Sequence, residues 1–269
     1  MQELGLDLAH VRAYFLAEFD QPYLLLKVPP DVAASWAAAL SVPLRRCYIA
    51  DVTLQERVAK TGRSASEIVA AKLPDAGSVM SGDFGEILAA LFLASDEHPA
   101  DVRDPKKWRL KQARSGPAPY SDVVQFVLPI WPDSSADDQL ICAEVKTKAT
   151  AGASTPITSA IADSRKDREG RLAKTIVWLR ERALGENLGT LDLSRIERFT
   201  NAVDHPPAAR YFRAVAVISS DLIDDELDGV EPPAADECTL VIISVPDLKQ
   251  TYQDVYAAIV AAAETADES

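Results

Sequence analysis

Two apolar runs separated by a polar linker constrain the fold more than anything else in this chain: YSDVVQFVLPIWPDSSADDQLICAEVKTKAT, residues 120–150. DVVQFVLPI and QLICAEVKTK read as strands. WPDSSADD between them carries Pro132 with several Asp and Ser, which predicts a hairpin-like connection. Residues two apart in a strand share a face. Leu140, Cys142, Glu144 and Lys146 therefore point one way, and Ile141, Ala143 and Val145 the other. The charged positions come last, which places them at the strand end. With DVVQF as the neighbouring strand, Asp122 lies near that same end.

Upstream, SGDFGEILAALFLAS predicts a helix with Asp83 as its cap and an apolar stripe through Ile87, Leu88, Leu91 and Phe92. WRLKQA is a possible strand. Residues 155–184 read as one long helix or two, with Pro156 in a first turn and Gly170 as the break. YFRAVAVISS and CTLVIISV predict buried strands, and DLKQTYQDVYAAIVAAAET a final helix. Before residue 75 the pattern is mixed. DVAASWAAALS is helical by propensity, RSASEIVAAKL holds a Ser-x-x-Glu capping box, and PYLLLKV and RRCYIADV are short candidate strands. The order predicts an α/β fold, a mixed central sheet flanked by helices.

Composition narrows the function. Three cysteines (Cys47, Cys142, Cys238), widely spaced and without a CxxC, argue against a disulfide framework or a zinc site and for small buried hydrophobes. The absence of a long apolar run or a signal-like N-terminus predicts a cytoplasmic protein that makes no membrane contact. No Walker A loop, GxGxxG or GxSxG is present, and His10, His98 and His205 share no ligand spacing. A net charge of −13 counts against a free-standing nucleic-acid binder. Yet RDPKKWRLKQARS, residues 103–115, concentrates Lys106, Lys107, Arg109 and Lys111 into a basic strip suited to DNA.

A carboxylate, a spacer and a lysine at a strand end, with a second carboxylate alongside, suit phosphodiester hydrolysis. Mg²⁺ takes oxygen ligands. It lowers the pKa of a bound water and neutralises the phosphate. A neighbouring lysine orients the water or stabilises the oxyanion.

Asp122 followed by Glu144-Val145-Lys146 resembles the D…ExK signature of the PD-(D/E)XK restriction-endonuclease-like superfamily, and Glu86 stands where many members carry a helical Glu. Ser121 replaces the usual Pro before the Asp. GDFGE, the basic strip with Lys111, YSDVV and CAEVKTK also resemble the HamA family, the nuclease component of Hachiman anti-phage defence. The resemblance implies a restriction-endonuclease-like core over residues 76–269 behind an N-terminal accessory region, residues 1–75. It implies Mg²⁺ or Mn²⁺ held by Glu86, Asp122 and Glu144, with Lys146 as the fourth catalytic residue. It further implies DNA as substrate and a helicase partner that supplies most of the phosphate contacts. Two rivals stay open: a restriction, repair or transposon-end nuclease of the same fold, and a catalytically silent binding module.

Overall fold

The computed structural model describes residues 1–18, 21–186, 188–201 and 203–267. The N-terminal part holds α1 (Leu8–Arg12), β1 (Leu16–Glu18), β2 (Leu24–Lys27), α2 (Pro30–Tyr48), α3 (Asp51–Thr61) and α4 (Ala65–Ala70). The middle holds α5 (Ser78–Asp96), β3 (Val102–Arg103), β4 (Val123–Val127), β5 (Gln139–Lys148), α6 (Pro156–Lys166), α7 (Leu172–Gly185) and α8 (Leu193–Thr200). The chain finishes with β6 (Ala209–Ser219), α9 (Ile223–Leu227), β7 (Thr239–Val245) and α10 (Leu248–Asp267).

The strands form one seven-stranded mixed sheet in the order β1-β2-β7-β6-β5-β4-β3. The central strands β5, β6, β7 and β2 run parallel to their neighbours, and antiparallel pairs close both edges. Buried on both faces, β6 and β7 are almost continuously apolar, as parallel strands require. Alternation sorts their side chains into two layers. Ile141, Ala143, Val145, Val215, Val217, Val241 and Ile243 join residues of α1, α2, α4, α5 and α10 on one face. On the other face Ala214, Ala216 and Ile242 meet α6, while Val124, Phe126, Leu140 and Cys142 meet α7 and α8. This is the mixed α/β sheet flanked by helices that the pattern predicts. Residues 1–75 contribute β1 and β2 to the same sheet and Trp36, Leu40 and Leu44 to the same core.

The central helix, α5, is buried through Asp83–Ser95. It is the one described helix long and apolar enough to cross a membrane, and it lies instead inside the core. Each large side chain it buries, such as Phe84, Ile87 and Leu91, contributes about 1.5–3 kcal/mol of hydrophobic stabilisation. All three cysteines are free and buried, as their apolar neighbours predict.

Several local expectations are corrected. RRCYIADV is not a strand. Leu40, Leu44, Cys47 and Tyr48 are buried at helical spacing, and α2 runs through to Tyr48 despite Pro43. WRLKQA holds a short 3-10 helix at Lys107–Leu110, and the strand pairing there is made by Val102–Arg103. Asp83 does not cap α5, which begins five residues earlier at Ser78. The capping box on α4 forms as expected, with Ser64 accepting from the Glu67 N–H and Glu67 accepting from the Ser64 N–H. Gly170 does mark the break between α6 and α7, its φ of 164° taking it out of the helix.

Candidate active site

Register brings the acids together. Val123 of β4 pairs with Ala143 of β5, so Asp122, the residue before β4, comes opposite Glu144. The β5 strand does not end there. It continues to Lys148 with only β6 alongside, so Glu144 and Lys146 lie mid-strand where β4 has not yet begun. They are thus not at the end of β5, as the charge pattern predicts; the strand end at the site is that of β4. There the Asp122 Oδ2 accepts the Val145 N–H at 2.9 Å and satisfies part of the edge that β4 leaves open. The turn into β4 passes through Tyr120, at a φ of 64°, a conformation uncommon for a bulky residue.

The third acid, Glu86, arrives on α5 from the opposite face. Gly85 allows the approach: a Cβ there would meet Thr147 Oγ1 of β5 at 2.1 Å. The helix therefore presses onto β5 at this point and carries Glu86 to the neighbourhood of Asp122. Glu86 is buried and accepts the Trp108 indole N–H at 3.0 Å.

Glu144 is buried between two cations. Its Oε1 accepts from the Lys146 Nζ at 2.7 Å, and its Oε2 from the Arg171 Nη2 at 2.6 Å. The Lys146 Nζ also pairs with Asp163 Oδ2 at 2.8 Å. Arg171 reaches Asp167 Oδ1 at 2.6 Å and the Asp163 carbonyl at 2.7 Å. Asp167 in turn accepts from the Ser121 hydroxyl at 2.7 Å, next to Asp122.

The electrostatics follow from this crowding. Burial, then the neighbouring Asp122 charge, pushes Glu144 up to about 8 against the pull of Lys146 and Arg171. Burial raises Glu86 well above the carboxylate range, and Asp122 and Asp83 add to the rise. Asp122 rises through burial as well, opposed by the Val145 N–H and by Lys107, Lys146 and Arg171. Burial pulls Lys146 down, but its bonds to Asp163 and Glu144 win and hold its proton. Partial burial pushes Asp163 upward, yet Lys146 and Lys166 hold it down at about 2.

The four cations expected to meet DNA are instead turned into the fold. Lys106 is fully buried and paired with Asp104 at 3.2 Å. Lys107 is buried and donates to the Ser121 carbonyl, with burial lowering its pKa despite Glu86 and Asp122 nearby. Arg109 bonds the Arg46 carbonyl at 2.9 Å and Glu3 at 3.1 Å. Lys111 pairs with Asp83 at 2.7 Å, and Asp83 also accepts from Tyr48 at 3.0 Å. The strip is basic because acids distant in sequence need partners, so it offers no exposed phosphate-binding face. Lys107 does reach the site, as a buried counter-charge rather than a DNA contact.

Sequence reasoning missed Asp163, Asp167 and Arg171. Their spacing of four was the available signal, since i, i+4 positions share a helix face. Among the described residues no three acids, histidines or cysteines are already gathered as a metal cage. The donor set nevertheless suits a hard cation: burial raises all three carboxylates, and the charge of Asp122 raises both Glu86 and Glu144 further, as happens where a bound cation would compensate them. A model of the HamA family matches residues 16–259, most of the chain. No curated protein matches it.

Proposed function

The chain belongs to the HamA family, a component of Hachiman anti-phage defence, and from that premise we propose that it is a metal-dependent DNA nuclease of the PD-(D/E)XK type, acting with a helicase. The observation that carries the reading is the pairing of Asp122 opposite Glu144 where β4 begins, with Lys146 two residues on along the same face. Glu86, Asp122 and Glu144 would hold Mg²⁺ or Mn²⁺. A cation of that class would lower the pKa of a bound water and neutralise charge on the scissile phosphate.

The protein's own groups divide the remaining work. Asp163 keeps Lys146 charged and in place, so that it orients the attacking water or stabilises the developing oxyanion. Lys107 offsets part of the buried charge on Glu86 and Asp122. Trp108 holds Glu86 by its indole N–H, and the Val145 amide holds Asp122. With the basic strip turned inward and a net charge of −13, the chain meets DNA weakly alone. A helicase partner would bring the DNA.

Plasmid cleavage tests the reading. Glu144→Ala should lower the rate by at least ~10³-fold and Lys146→Ala by roughly 10²–10³-fold, the range for losing a group that stabilises a transition state. Mg²⁺ or Mn²⁺ should support the reaction and Ca²⁺ should not. Cleavage at the wild-type rate by Glu144→Ala, or undiminished in excess EDTA, rules it out. Co-purification from the native operon tests the partner: recovery of the chain with no helicase attached removes that part.

A further inference from the structure

We propose, resting on the nuclease reading above, that Arg171 is a resident counter-ion of the site, holding Glu144 in the metal-free protein and leaving it when a divalent cation binds. Both oxygens of Glu144 are taken by cations, one by Lys146 and one by Arg171. Lys146 and Arg171 are shared in turn with Asp163 and Asp167, so each oxygen of Glu144 is engaged by a cation that also has a second acidic partner. A divalent ion that takes Glu144 as a ligand needs one of these oxygens, so one of the two cations has to withdraw from it.

The two cations differ in their freedom to do so. Lys146 is held by Asp163 as well as by Glu144. Arg171 alone sits in the break between α6 and α7, beside Gly170, where the helix is interrupted. Its side chain is 24% exposed and that of Lys146 31%, so both reach solvent; what sets Arg171 apart is its place in the helix break, whereas Lys146 is fixed on the continuous strand β5. The second anchor of Arg171, Asp167, has independent support from Ser121 at 2.7 Å and stays in place when the Arg171–Glu144 bond opens. The planar guanidinium spans Glu144 and Asp167 together, which a lysine ammonium does with poorer geometry. Arg171 is therefore a positioning residue: it presents Glu144 in one orientation and competes with metal for Oε2.

Metal binding without DNA tests this apart from catalysis. Mn²⁺ is titrated into the full chain and free ion read by electron paramagnetic resonance, for wild type, Arg171→Gln, Arg171→Lys and Glu144→Gln. Arg171→Gln should bind Mn²⁺ ~10-fold more tightly than wild type, the scale of one competing charged hydrogen bond removed, with Arg171→Lys in between, and Glu144→Gln should lose binding. Equal or weaker binding by Arg171→Gln, with binding still lost in Glu144→Gln, overturns the counter-ion role and leaves the nuclease site standing. Wild type that binds no Mn²⁺ at millimolar concentration overturns both. If Arg171→Gln fails to fold, Arg171→Lys decides the matter: a gain of ~3-fold supports the role, and unchanged affinity ends it.

Discussion

Strands β5 and β6 lie side by side in register, yet they fill the same depth of the sheet with opposite chemistry. Glu144, Lys146 and Lys148 on β5 stand beside Ala214, Ala216 and Ile218 on β6. The β6 positions are all fully buried and covered by the apolar side of α6. Glu144 and Lys148 are nearly as deep, Glu144 being 2% exposed, and Lys146 is half-buried; β4 has not begun there, and the α6–α7 break brings Asp163 and Arg171 within reach. Charge in this sheet is thus tolerated where one neighbouring strand is missing and ionic partners replace it. Ala214 and Ala216, being small, also leave β5 room for its long side chains.

The most severe way to break that comparison is Ala214→Glu, which moves the carboxylate one strand across into a site without cations. An unpaired buried charge should cost at least ~3–5 kcal/mol, read as a lowered urea midpoint or failure to fold. A variant as stable as wild type would show that the partners around Glu144 are not what makes charge acceptable at this depth.

Gly85→Ala attacks the same boundary from the helix side. The new Cβ would overlap Thr147 Oγ1, so either the Thr147 side chain turns or α5 shifts. Overpacking of this kind costs about 1–3 kcal/mol. Where the helix gives way, Glu86 moves with it and cleavage falls as well. Stability and cleavage both unchanged would mean that the close approach does not place Glu86.

A pH series sharpens the contrast more gently. Glu144 binds its proton more tightly folded, with a pKa of about 8, than unfolded, where an ordinary Glu lies near 4.5. Between those values the folded state carries the extra proton, so metal-free stability should fall as pH rises from about 4.5 to about 8. Thermal melting in EDTA should show this decline, and Glu144→Gln should reduce its slope, leaving the part due to Glu86 and Asp122. A wild-type profile that rises through the window would reverse the assigned shift.

The smallest effect is expected from Glu144→Gln itself at neutral pH. Lys146 keeps Asp163 and Arg171 keeps Asp167, so no cation is orphaned and stability should change by less than ~1 kcal/mol. A loss several times larger would make Glu144 a structural residue.

Much of this was legible in the chain because it is local. Alternation sorted Ile141, Ala143 and Val145 from Leu140 and Cys142, and the two sets do enter different cores. The ordering of Glu86, Asp122, Glu144 and Lys146 could be read directly, and register brings Asp122 to Glu144. What failed depends on contacts that cross the chain. Nothing near Lys111 or Arg109 in sequence announces Asp83 or Glu3 as partners, so buried ion pairs looked like a basic surface. Cys47 and Tyr48 read as strand formers because β-propensity outweighed a helical spacing that starts seven residues earlier, at Leu40. Asp83 looked like a cap because α5 starts on the weak signal SVMS, without a capping side chain.

The sheet order also bears on how the protein comes into being. Strand β2, made early, joins the rest only through β7, made more than two hundred residues later, and α10 then closes over α2 and α4. An emerging chain has synthesised Glu86, Asp122, Glu144 and Lys146 well before β6 and β7 are available to brace β5. Such long-range pairings form late and slowly. A polypeptide synthesised only as far as Lys146 has the proposed chemistry written in it but not yet the strands that brace β5, so the order of the sheet alone delays the site.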